Sequence, residues 1–325
     1  MAVHKCSIIA DPSGYGWEYA ENIFEELKNR GKNKGFELKP NEVNVETFRD
    51  EEIKPRIKSN VRKRNCYFVH NPNLSPIEWS LQLDLINQAL KKSSAQEIID
   101  VFTYTMFSRQ DRKEESRVPV SVRVIARNIE EYAHRAMTID FHNQIALDCA
   151  YDIPFDNLSP YPTVVEHIKK TNPGILKNLA VMSPDVGGLR RARDFAGRIG
   201  VRELIVGDKY RKKAGEIESF RIIGDVERKN VFIVDDLVDS GNTLIRSCQE
   251  VKNRGAERVY AYATHGLFTE GIKKVTDNFD KFFIGDTRKL DKENISNLEI
   301  ISFVPLFAEA IYRTSEGDSL SELFK

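Results

Sequence analysis

Short apolar runs alternate with longer amphipathic stretches along the chain. "CSIIAD" near the start is a strand-like run. "WEYAENIFEELKNRG" follows, with Trp17, Ala20, Ile23, Phe24 and Leu27 at helical spacing and Gly31 as the stop. "NCYFVH" and "EIIDVFTYT" read as strands on either side of the amphipathic stretch "PIEWSLQLDLINQALKKSSA", where Pro76 marks a helix start. "VPVSVRVIARNIEEYA" is a helix and "RAMTIDF" a strand. The second half repeats the rhythm: "NLAVMSP" before "RRARDFAGRIG", "RELIVGD" and "FRIIGDV", then "NVFIVDD", the helix "TLIRSCQEVKNRGA" and the strand "RVYAYATHG". Strands alternating with helices of this length mean βαβ units and parallel sheets covered on both faces. The pattern therefore predicts an α/β protein of two doubly wound parallel-sheet domains. The proline-marked stretch at residues 152–170 is the candidate boundary, dividing the chain into domains at 1–160 and 161–325.

Composition narrows the class. The 325 residues are 41% hydrophobic and 30% charged, and 49 basic side chains balance 49 acidic ones. Zero net charge gives no footing for a general nucleic-acid or membrane-surface binder, and the run Arg62, Lys63, Arg64 reads as a solvated helix end. No stretch approaches the ~18 apolar residues of a membrane helix, and the N-terminus has no signal-peptide apolar region. Four scattered cysteines, Cys6, Cys66, Cys149 and Cys248, read as reduced, buried thiols. A cytoplasmic protein is expected.

Chemistry enters at "VFIVDDLVDSGNTLI", residues 231–245. An apolar strand runs into Asp235 and Asp236, and Asp239, Ser240, Gly241, Asn242 and Thr243 then lead into a helix. In doubly wound sheets ligands bind outside the carboxyl ends of the strands. Backbone N–H groups, two hydroxyls and a helix N-terminus suit a phosphate monoester. The acids would repel that phosphate; they suit sugar hydroxyls or a Mg²⁺ ion. Phosphate in the loop and sugar hydroxyls on the acids describe a ribose 5-phosphate. "SRQDRK" brings Arg109, a planar fork for phosphate oxygens, with Gln110 and Asp111. "DFH" ends on His142, "SPDVGG" puts Asp185 at another strand end, and "DKYRKK" is a cation-rich loop.

"VFIVDDLVDSGNT" resembles the phosphoribosyl-diphosphate (PRPP) loop of type I phosphoribosyltransferases. "FSRQDRKEESRVPVS", "MTIDFH", "YDIPFDNLSPYP", "VMSPDVGGLRRARDFA", "KYRKK", "ATHGLF" and "EAIYRTSEGDSLSELF" follow the order of the ribose-phosphate diphosphokinase (PRPP synthetase) family, from about Phe48 to the C-terminus. That resemblance implies transfer of diphosphate from Mg-ATP to the C1 hydroxyl of ribose 5-phosphate, giving PRPP and AMP for nucleotide biosynthesis. It implies that Asp239, Ser240, Gly241, Asn242 and Thr243 cradle the 5-phosphate and that Asp235 and Asp236 take the 2- and 3-hydroxyls, directly or through a metal. Arg109, Gln110 and Asp111 would hold ATP. His142 and Asp185 would contact Mg²⁺, and Lys209, Arg211 and His142 would be catalytic, the two cations neutralising the transferring diphosphate. "TFRDEEI" resembles a segment that reaches the adenine of a neighbouring subunit through Phe48, Asp50 and Glu52, which implies a homodimer built into a hexamer. The last helix is expected to pack back on the N-terminal domain.

The chain departs from the family pattern in three places. "DFHNQIALDCAYDIP" stands for D-L-H-x-x-Q-I-x-G-F-F-D-I-P, in a region tied to subunit contacts and regulation, which leaves phosphate and ADP open as effectors. "DSGNT" replaces D-T-x-G-T, and "TFRDEE" has lost a glycine. Two alternatives stay open: a nucleobase phosphoribosyltransferase, which shares only the loop at 235–243, and a catalytically inactive regulatory relative of the synthetase.

Overall fold

The computed structural model describes residues 5–32, 41–210, 219–291 and 295–324. The chain divides into two compact units, one of residues 1–159 with 304–325 and the other of residues 160–303.

In the first unit the order is β1 (Cys6–Ala10), α1 (Tyr15–Asn29), β2 (Asn41–Thr47), β3 (Ile53–Ile57), β4 (Asn65–Val69), α2 (Pro76–Lys92), β5 (Glu97–Val101), α3 (Ser121–Glu130), β6 (Arg135–Ile139), α4 (Gln144–Ala150) and β7 (Phe155–Leu158). The second unit runs α5 (Tyr161–Thr171), β8 (Leu179–Ser183), α6 (Leu189–Ile199), β9 (Leu204–Tyr210), β10 (Ser219–Ile223), β11 (Asn230–Val238), α7 (Asn242–Asn253), β12 (Arg258–Gly266), α8 (Ile272–Thr276), β13 (Lys281–Gly285) and β14 (Leu298–Ile301). The last helix, α9 (Val304–Glu316), belongs to the first unit and lies against α1, with Phe307 edge-on to Tyr19 at 5.8 Å between ring centres.

Local chemistry explains the helix boundaries. Ser75 and Glu78 form a reciprocal capping box before α2: Ser75 Oγ accepts from Glu78 N at 3.3 Å and Glu78 Oε2 accepts from Ser75 N at 3.0 Å. Helix α6 buries Ala192, Phe195, Ala196 and Ile199 and stops at Gly200, which takes a left-handed φ of 91°.

Among the described residues each unit holds one seven-stranded sheet. The orders are β3-β2-β1-β4-β5-β6-β7 and β10-β9-β8-β11-β12-β13-β14, so the two sheets have the same topology. Neighbours pair in parallel except at one edge, where β2 with β3 and β9 with β10 are antiparallel hairpins. The central strands β1, β8 and most of β11 and β12 are buried on both faces, which is why they read as continuous apolar runs. Aromatic rings fill both cores: Phe195 stacks on Phe232 at 5.1 Å, and Phe283 on Phe232 at 5.8 Å, in the second unit. In the first, His70 sits between Phe68 and Phe102 and bonds the fully buried Asp100 through Nε2 at 2.9 Å.

Two expectations are corrected. The strand carrying Asp235 and Asp236 does not end there. It continues to Val238, held by pairing of Leu237 with His265 and Val238 with Gly266. Cys6, Cys66 and Cys248 are buried, but Cys149 is exposed on α4. No helix among the described residues is long and apolar enough to cross a membrane.

Candidate active site

In the second sheet the chain leaves β8 and β11 in opposite directions, β8 toward β9 and β11 toward β12. The carboxyl ends of these neighbours therefore frame a crevice. Asp185 stands in the turn after β8, where Oδ1 accepts from Gly188 N at 2.9 Å and the backbone oxygen accepts from Ser183 Oγ at 2.6 Å. One carboxylate oxygen thus helps to shape the turn. Across the crevice Asp236 N donates to Asp235 Oδ1 at 3.0 Å. Arg191, on the first turns of α6, reaches both acids, 3.3 Å from Asp236 Oδ1 and 4.0 Å from Asp235 Oδ1.

Burial, and then the charge of Asp236, push the Asp235 carboxyl well above the ordinary carboxylate range; Arg191 pulls the other way. A carboxyl under that pressure gains from any group that donates hydrogen bonds or positive charge to it. Sugar hydroxyls and a divalent cation are both of that kind.

The loop after β11 is shaped for an anion. Gly241 caps α7 with a left-handed φ of 78°, and a Cβ there would lie 2.3 Å from Val275 Cγ2, so both conformation and space require glycine. A glycine cap has no side chain to occupy the first N–H groups of α7. Asp239 is fixed by the segment after β12: Thr269 Oγ1 donates to its Oδ1 at 2.7 Å and Thr269 N to its backbone oxygen at 3.2 Å. Ser240 and Thr243 are half-buried, and Asn242 is exposed at the helix start.

In the first unit the corresponding crevice lies between β1 and β4. There a Cβ on Gly14 would lie 2.0 Å from Asn71 Nδ2, so the two loops meet closely. The sequence-predicted residues instead follow β5 and β6. Thr105 Oγ1 donates to Thr138 Oγ1 at 2.9 Å, and Asn143 Nδ2 donates to Asp111 Oδ2 at 2.6 Å, binding the loop of Arg109–Asp111 to the loop of His142. Asn143 also caps α4 by accepting from Ile145 N at 3.1 Å. Gln110 Oε1 accepts from Ser121 Oγ at 2.6 Å. Gln110 and Asp111, expected from the sequence to hold ATP, also brace their loop, while Arg109 and His142 are exposed.

The β2–β3 hairpin holds the third predicted group. Asp50 Oδ1 accepts from Glu52 N at 3.2 Å, Phe48 N donates to Glu52 O at 2.8 Å, and Lys54 lies over the Phe48 ring at 4.8 Å. The Phe48 ring is 43% exposed. Strands β1 and β4 separate β2 from β5, a span of ~14 Å at the usual strand spacing. In the sheet, the hairpin that carries Phe48, Asp50 and Glu52 is thus set apart from the strand that leads to Arg109. Lys209 lies in β9, paired with Phe220, and its side chain is outside the described residues, as is the whole of Arg211.

Among the described residues no three His, Cys, Asp or Glu side chains converge as a preformed metal cage. Mg²⁺ does not need one: it commonly takes one or two carboxylates, water and substrate phosphates, and a carboxylate such as Asp185 meets that demand. Sequence reasoning missed Arg191 and Thr269. Neither lies in a phosphate-loop pattern, and both reach the site only through strand adjacency.

Known proteins resemble this chain along most of its length. Residues 17–132 match the family described as the N-terminal domain of ribose phosphate pyrophosphokinase, and residues 210–325 match the phosphoribosyl synthetase-associated domain. The ribose-phosphate pyrophosphokinase of Chlorobaculum tepidum is 35% identical over 286 residues, covering 87% of this chain and 87% of that protein. That of Aquifex aeolicus is 34% identical over 284 residues, covering 86% and 90%. Among solved structures, phosphoribosylpyrophosphate synthetase from Mycobacterium smegmatis superposes with a TM-score of 0.82 over 96% of this chain and 99% of that one, at 23% identity, a likeness of fold.

Proposed function

Because the chain belongs to the ribose-phosphate pyrophosphokinase family, we infer that it transfers the diphosphate of ATP to the C1 hydroxyl of ribose 5-phosphate. The C1 oxygen bonds to the β-phosphorus as the bond from that phosphorus to the AMP oxygen breaks; the hydroxyl proton is lost, and PRPP and AMP leave. The enzyme is a transferase of the kinase type, serving nucleotide biosynthesis. Catalysis of this kind is mostly positioning and charge stabilisation.

One observation supports the acceptor assignment above the rest: the acidic pair Asp235–Asp236 stands on the same strand that leads into the glycine-capped start of α7. The acids receive the 2- and 3-hydroxyls, and the loop from Asp239 to Thr243 receives the 5-phosphate. Arg191 holds the acidic pair in place against its own repulsion. Arg109, Gln110 and Asp111 serve ATP on the first unit, with His142 beside its phosphates. Lys209 and Arg211 neutralise charge as the β-phosphorus is attacked. The first unit is thus the ATP side and the second the ribose 5-phosphate side.

Mg²⁺ is the cofactor in this reading. His142 on the first unit and Asp185 on the second would each meet a Mg²⁺ ion, which when bound supplies positive charge to the polyphosphate. The exposed Phe48 ring, remote in the sheet from β5, suits an adenine contact made to a second copy of the chain, so a homodimer within a hexamer is the assembly we expect. Phosphate and ADP are the candidate effectors and the cytoplasm the expected compartment; neither nucleic acid nor membrane has a part.

The test is to incubate the full-length protein with ATP, Mg²⁺ and ribose 5-phosphate and follow products by ³¹P NMR, with and without inorganic phosphate. AMP and a C1 diphosphate are expected. ATP left intact under both conditions would overturn the reading in favour of a non-catalytic subunit of the same family.

A further inference from the structure

The loop from Asp239 to Thr243 contains no cation, and three carboxylates, Asp235, Asp236 and Asp239, stand on or before it. A phosphate monoester carries close to two negative charges at neutral pH. The N-terminus of α7 offers the equivalent of only about half a positive charge. Such a loop is a better anion site with a cation beside it, and the fold brings one from a different element.

Lys274, on α8, donates through Nζ to Asn242 Oδ1 at 2.8 Å, and Asn242 is the first residue of α7. Glu270 accepts from the same ammonium, tethering it from within its own segment. An ammonium has three donors, so one remains for a ligand. The side chain is 39% exposed, which leaves its head in contact with solvent and its four-carbon stem free to turn.

The segment that carries Lys274 is itself fixed on the loop. Leu267 N donates to Val238 O at 2.8 Å, Thr269 clasps Asp239, and Val275 closes on Gly241. Phe268 is buried with a left-handed φ of 46°, a conformation a bulky residue holds only where its surroundings over-determine it. The connection after β12 is therefore a rigid brace, and it presents an ammonium at the first turn of α7.

We propose that Lys274 is a specificity-determining residue of the ribose 5-phosphate subsite, supplying the positive charge beside the 5-phosphate that the loop itself lacks. This rests on the reading of residues 235–243 as the acceptor site.

The test uses steady-state kinetics of the full-length enzyme with ATP saturating, at low and high ionic strength. Lys274→Met raises the KM for ribose 5-phosphate about tenfold, ~1.4 kcal/mol, and flattens its dependence on salt. Lys274→Arg, which keeps the charge, stays within threefold of wild type. The KM for ATP moves by less than twofold in both. A Lys274→Met enzyme with an unchanged KM for ribose 5-phosphate overturns the proposal, and so does one whose KM for ATP rises equally. Thr243→Val separates this from the acceptor-site reading. If Thr243→Val weakens ribose 5-phosphate and Lys274→Met does not, only the role of Lys274 falls. If neither weakens it, the acceptor-site reading falls as well.

Discussion

Gly241 shows how much one position can carry. Its φ of 78° and the 2.3 Å approach of Val275 to a would-be Cβ act together, so Gly241→Ala strains the backbone and overpacks the α7–α8 contact. A loss of about 2–4 kcal/mol in urea unfolding is expected. An unfolding midpoint equal to that of the wild type would mean that α8 gives way and that the brace is softer than argued. The glycine, the two acids and the hydroxyls of this loop were all legible in the sequence, because strand, turn and helix follow one another there. Arg191 and Thr269 were not. Arg191 lies 44 and 45 positions before the carboxylates it meets, and only the parallel pairing of β8 with β11 brings α6 over them.

At the scale of elements, Glu299 on β14 ties α5 to β13. Its carboxylate accepts from Lys281 on β13, from His167 on α5, and from Asn172 at 3.2 Å. Burial alone would push its pKa up; the bonds from Lys281, His167 and Asn172 outweigh this and bring it to about 2, from an ordinary value of 4.5. The folded value is the lower one, so the stabilisation is complete above pH 4.5 and is lost as pH falls toward 2. Glu299→Gln should therefore lower the thermal midpoint of the second unit at neutral pH, with the gap to wild type closing below about pH 3. A gap that stays constant down to pH 2 would leave Glu299 without this role. The long elements could be read from periodicity and caps, as in α2 with Ser75, Pro76 and Glu78. The four-residue strands β7, "FDNL", and β14, "LEII", could not. Too short for a periodic signal, and half polar in β7, they are strands because β6 and β13 offer open edges to pair with.

At the scale of the whole molecule, the chain leaves the first unit at residue 159 and returns to it at residue 304. Helix α9 buries Val304, Phe307, Ala308, Ala310 and Ile311, and Glu309 pairs with Lys32 at 2.5 Å and Arg313 at 2.8 Å. A chain ending at residue 303 should lose protease resistance in the first unit while the second keeps it, since α9 packs on α1. Equal protection of both units would show α9 to be dispensable. The sequence by itself determined the α/β class, the succession of strands and helices and the acid-then-glycine turn at residues 235–243. All of these rest on residues close in the chain, where periodicity, capping and turn geometry act. The tertiary structure alone decided the strand order, the crevice between β8 and β11, the guanidinium on the acidic pair and the lysine beside α7. These depend on which strands become neighbours, and that is settled by burying every apolar face at once.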